Sequence, residues 1–83
     1  MNAYEQREQA FAHLAAASSN EFAEKCWKIV RADANTYGLE GELFRMRMAA
    51  QLFLAGISEA NILEALESQT EQILMMLKRS GFF

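Results

Sequence analysis

Apolar side chains recur every three or four positions along nearly the whole of this chain, and no proline interrupts them. A helix brings residues three and four apart onto one face, whereas a strand needs alternation, so the spacing restricts the chain to helices packed on one another. Composition points the same way. Fourteen alanines, nine leucines and five methionines outweigh the few β-branched residues, and unbranched side chains lose little rotamer freedom in a helix. With 83 residues, the chain has the length of one domain, residues 1–83. The expected fold is all-α, a compact bundle of about four helices.

Serines and single glycines set the approximate boundaries. The first helix is expected over 3–17, with Tyr4, Phe11, Leu14 and Ala15 as its apolar stripe. Ser18 followed by Glu21 fits a capping box for the next helix, and Asn20 is a rival cap. That second helix, 20–36, carries Phe22, Cys26, Ile29, Val30 and Ala34 on one face, with Glu24, Lys28 and Arg31 away from it. Gly38 suits the left-handed stop that follows. The third helix, 39–55, is apolar nearly all round. Leu43, Met46, Ala50 and Phe53 make one seam, Phe44, Met48 and Leu52 another, and Arg45, Arg47 and Gln51 form its wet edge. Such a helix is central in a bundle or shared across an interface. Gly56 closes it. The stretch 58–80 reads either as one helix carried by Ile62, Leu66, Ile73 and Leu77, or as two short helices broken near 67–69.

Eight Lys and Arg against eleven Asp and Glu give a net charge of −3. DNA binding draws much of its affinity from neutralised phosphates, so an acidic total argues against it. The single cysteine, Cys26, cannot close an intramolecular disulfide. The first residues lack the basic-then-apolar order of a signal peptide, and the apolar stretch Met46 to Ala55 is well short of the roughly 20 residues of a membrane span. A soluble, cytoplasmic protein without membrane contact is expected.

The inventory for catalysis is thin. His13 and Cys26 fall on different helices; they could in principle form a nucleophile pair, and the plainer reading is an exposed histidine and a core thiol. No zinc or di-iron spacing appears, and the glycines form no phosphate loop. No catalytic residue, metal ligand or cofactor is expected. Lys25, Lys28, Arg31, Arg45 and Arg47 read either as a basic patch joining helices two and three or as ordinary surface.

The stretch Ala49 to Leu66 resembles the opening of a helix-turn-helix. A helix ends at Gly56, the pair Ile57-Ser58 caps the next, and Ile62 and Leu66 anchor it. Carried on to Gly81, the resemblance implies a turn at Glu67-Ser68-Gln69 and a recognition helix from Thr70 to Arg79, with Ile73 and Leu77 as its buried anchors. Gln69, Thr70, Gln72, Lys78 and Arg79 would then be the DNA-contact candidates. The chain departs from the family where Glu67 replaces the turn glycine and Leu63 replaces the small residue between the helices. Glu59, Glu64, Glu67 and Glu71 also place acids where cations should face phosphates. A helix-turn-helix transcriptional regulator is the alternative reading.

The leading expectation is contact with protein. A domain this small buries only about 60% of its unfolded surface or modestly more, and a chain that is 52% hydrophobic carries more apolar surface than one small core hides. A homodimer or another protein partner is the natural sink. Met75 and Met76 are adjacent, about 100° apart on a helix, so both cannot face one narrow core. The candidate interface residues are Phe44, Met46, Met48, Leu52, Met75, Met76, Phe82 and Phe83, with glutamates selecting a basic partner surface, such as that of a host ATPase or regulator. In size, acidity, helicity and lack of chemistry the chain is similar to small phage or mobile-element proteins that inhibit host machines. That likeness of type implies an inhibitor or modulator acting by occlusion.

Overall fold

A computed structural model describes residues 2–32, 34–68 and 79. Four helices follow one another in it: α1 (Ala3–Ala17), α2 (Asn20–Ala32), α3 (Ala34–Leu54) and α4 (Glu59–Ser68). The all-α bundle expected from the periodicity is what the chain forms. α2 and α3 are central, each packed on the other three helices, while α1 and α4 lie apart. Among the described residues no helix is long and apolar enough to cross a membrane.

Local chemistry explains where each helix begins and ends. Asn2 caps α1, its Oδ1 accepting from the Glu5 amide at 2.9 Å. Ser18 closes α1, with both its amide (2.9 Å) and its hydroxyl (2.7 Å) donating to the Leu14 carbonyl. The cap of α2 is neither Ser18 nor Asn20. The Ser19 hydroxyl accepts from the Phe22 amide at 3.1 Å, because Ser18 is already committed to the end of α1. α2 is described as far as Ala32, and position 33 lies outside the described residues. The helical positions just before Gly38 end at that residue, whose φ of 67° is the left-handed stop expected after the second helix, and the long part of α3 runs on from it to Leu54.

The corner after α3 is a Schellman stop. Gly56 adopts φ 89°, its amide donates to the Phe53 carbonyl, and the Ile57 amide donates to the Leu52 carbonyl, both at 3.0 Å. Ser58 then caps α4 by accepting from the Asn61 amide at 3.2 Å. These are the local details read from Gly56 and Ile57-Ser58. The remainder of the 58–80 stretch past Ser68, Arg79 apart, lies outside the described residues.

The core gathers Ala10 and Leu14 of α1, Phe22, Ala23, Cys26 and Val30 of α2, Leu43, Met46, Ala49 and Ala50 of α3, and Ile62 and Leu66 of α4. Two expectations fail here. Tyr4 is not part of the α1 core stripe but 67% exposed. The buried face centres on Ala10 and Leu14, and Ala10 lies six positions on, about 120° around the helix. Arg45 is not on a wet edge but 1% exposed. α4 passes over that face of α3, and an Arg45 Nη donates to the Leu66 carbonyl of α4.

Candidate functional site

Tyr4, Glu5, Glu8, Gln9, Phe11 and Ala12 of α1, with Arg7 beneath and Trp27 of α2 opposite, line an open groove of about 770 Å³. The Asn2 cap, which also donates from Nδ2 to Glu5 Oε1 at 3.3 Å, starts α1 early enough to carry Tyr4 and Glu5 onto its rim. Glu5 also suits the positive end of the helix dipole. Glu8 accepts a hydrogen bond from the Tyr4 hydroxyl and, with its negative charge, raises the Tyr4 pKa above its ordinary value.

The floor is aromatic and tied in place. Phe11 meets Trp27 edge to face, with centroids 6.2 Å apart and planes at 84°, the arrangement the ring quadrupoles favour. The Arg31 guanidinium lies 5.7 Å from the Trp27 ring centroid, a cation–π contact. Arg31 Nη1 also donates to Glu42 Oε1 at 2.6 Å, and Arg7 Nε donates to Glu42 Oε2 at 2.8 Å. Glu42 of α3 is 2% exposed, so one buried carboxylate holds the arginines of α1 and α2 together under the groove. Charge-assisted bonds of this kind are short and directional. Glu42 thereby sets the spacing of the two walls.

Most of the residues singled out from the sequence lie elsewhere. Met46 is fully buried. The Leu43–Met46–Ala50 seam faces inward because α3 is surrounded by all three other helices, so Met46 is withdrawn from the candidate interface. Phe44, Met48 and Leu52 are half-buried, with Met48 and Leu52 packed against the core. Met75, Met76, Phe82 and Phe83, and the DNA-contact candidates Gln69, Thr70, Gln72 and Lys78, fall outside the described residues; Arg79 is helical and exposed. Tyr4, Leu54 and Ile57 are the large apolar side chains exposed among the described residues.

Of the five basic residues read as a patch or as ordinary surface, Lys28 and Arg47 are exposed. Arg45 is in the core, Arg31 is held by Glu42, and Lys25 faces Glu21 at 3.8 Å along α2. Arg47 lines a second, smaller hollow of about 340 Å³ with Gln9, Ala10, His13 and Gln51. Among the described residues no group of three or more His, Cys, Asp or Glu could hold a metal ion.

His13 is exposed and Cys26 has no accessible surface. Burial, assisted by the charge of Glu59, pushes the Cys26 thiol up to about 12. At pH 8 that leaves about one thiolate in ten thousand, and the thiolate is the nucleophile. Native protein is therefore expected to resist a disulfide reagent such as dithionitrobenzoate for hours, then release one equivalent of thionitrobenzoate at once in urea. Fast labelling in buffer would show that the core opens freely around α2.

No protein-family model matches the chain, and neither a curated protein nor a solved structure does.

Proposed function

We propose that this chain is a small non-catalytic helical protein that works in the cytoplasm by docking onto another protein, inhibiting or modulating it by covering a surface. The observation that carries this reading is the α1–α2 groove. Its aromatic floor is held by Arg31 and Glu42 before any partner arrives, so little side-chain entropy is lost on contact. Self-association belongs to the same reading. Leu54 and Ile57 stand exposed beside Gly56 at the α3–α4 corner, and a second copy is proposed to meet them.

The test compares baits. Ala12 is exposed on the groove wall, and arginine is a good helix former, so Ala12→Arg should plug the groove without unfolding α1. Wild-type protein is expected to retain a defined partner from its host's extract, Ala12→Arg to lose it at unchanged helicity, and Leu54→Glu to shift only the oligomeric state seen in sedimentation. Capture that is indifferent to both substitutions would refute the reading.

A second reading, a DNA-binding regulator, is supported by one observation, the corner of Gly56 and Ser58 followed by the buried anchors Ile62 and Leu66. Against it, Glu59, Glu64 and Glu67 are all exposed on α4, where they would repel phosphates. Retention on duplex DNA that fades with rising salt would favour it over the first.

A further inference from the structure

We infer that the occupant of the α1–α2 groove is a basic amphipathic helix of the partner protein, laid along α1 with an apolar side chain on Trp27. This inference rests on the docking function proposed above and names the chemistry that would fill the site. The length fits a helix. Tyr4, Glu8 and Ala12 follow one another at intervals of four on the wall, a ridge of about 12 Å or two turns at 1.5 Å per residue. Ala12 is the small residue that lets a second helix approach closely, and Phe11 with Trp27 forms the apolar surface for its anchor. Helices recognised in grooves use anchors spaced in this way.

Charge decides which helix. The two cations at the groove, Arg7 and Arg31, are already engaged by the buried Glu42. Glu5 and Glu8 are exposed, and among the described residues neither has a cation within ion-pair distance. They lie three residues apart, so their carboxylates sit about one turn from each other along α1. The complement is a pair of Lys or Arg residues three or four apart, flanking the apolar anchor. Such rim charges govern partner choice and encounter rate more than the total affinity.

Trp27 is the only tryptophan in the chain, so its fluorescence reports on the groove directly. The experiment titrates the full-length protein with three tryptophan-free synthetic peptides of 18 residues. One is a leucine–lysine amphipathic helix, the second has glutamate in place of every lysine, and the third scrambles the lysine peptide so that no apolar face remains. The lysine helix is expected to give a saturable blue shift. The glutamate helix should give none, and the scrambled peptide should bind at least tenfold more weakly. The double substitution Glu5→Lys/Glu8→Lys, at two exposed positions, should weaken the lysine helix about tenfold at unchanged circular dichroism.

Equal binding of the glutamate helix would overturn the charge selection while leaving a docking groove. Equal binding of the scrambled peptide would reduce the contact to non-specific attraction and overturn the helix. No saturable shift with any peptide, when Ala12→Arg still abolishes capture of the partner, would show that the groove takes something other than a basic helix. A shift produced by concentrating the protein alone would assign the groove to a second copy and equally end the proposal. If Ala12→Arg leaves capture intact, the docking function itself fails, whatever the peptides do.

Discussion

Exchanging both Arg7 and Arg31 for methionine is expected to lower the free energy of unfolding by about 3–5 kcal/mol, the range seen when a buried ion pair loses one side. Glu42 is 2% exposed, whereas the side chains of Arg7 and Arg31 are 32% and 42% exposed. The asymmetry sets the sign and the size. Without these arginines the buried carboxylate loses both of its ion-pair partners. Glu42→Met removes the other side of the cluster, and the two half-exposed arginines can turn to water, so a smaller loss is expected. Each single arginine variant should fall between, with non-additive effects because both partners share one carboxylate. Urea unfolding followed by circular dichroism measures all four variants. A double variant as stable as the wild type would show that the cluster does not hold α1 and α2 on α3. The same variant is expected to expose Trp27 further, seen as a red shift of its emission, because the groove floor rests on Arg31.

Phe22→Ala is expected to cost about 3–5 kcal/mol, the usual loss for a buried aromatic truncated in a core that relaxes only partly. Phe22 is 1% exposed at the first turn of α2, and its ring centroid lies 5.8 Å from that of Phe53 on α3 at an interplanar angle of 37°. The substitution therefore opens a cavity between the two central helices and removes a ring–ring contact as well. Phe53→Ala should lose less, since that ring is only partly buried. For a domain whose total stability is on the order of 5–15 kcal/mol, the Phe22 variant will unfold at a markedly lower urea midpoint. A shift no larger than that of Phe53→Ala would mean that the space closes up and that α2 is not anchored at its start.

How far the sequence could be read depends on which residues are asked. The buried positions Leu14, Phe22, Cys26, Val30, Met46, Ala50, Ile62 and Leu66 are spaced as an amphipathic or all-round apolar helix requires, and their role follows from periodicity. Gly56 and Ser58 announce their own corner, because a positive φ favours glycine and an exposed amide at a helix start favours a hydroxyl. Charged residues were harder. Arg45 and Glu42 stand among apolar neighbours in the same helix, and nothing local distinguishes the arginine that ends inside the core from Arg47, two positions on, which ends in solvent. The groove was not legible at all. Its floor depends on Trp27 meeting Phe11, sixteen positions back, and on Arg7 reaching Glu42 across 35 positions. The place of Glu42 directly before Leu43 of the apolar seam is the signal that could have drawn attention to it.

The amino-acid order alone determined that this chain would be helical, where its turns would fall to within a few residues, and, Tyr4 apart, which of the described apolar side chains would make its core stripes. All of these follow from interactions among residues three or four apart, or from the φ a single residue accepts. Only the packing of α1 and α2 against α3 decided that Glu42 would be enclosed, that two arginines would converge on it, and that an aromatic groove would be left open above them. A charge enters a protein interior only where partners from other elements meet it there, and local spacing carries no record of that meeting.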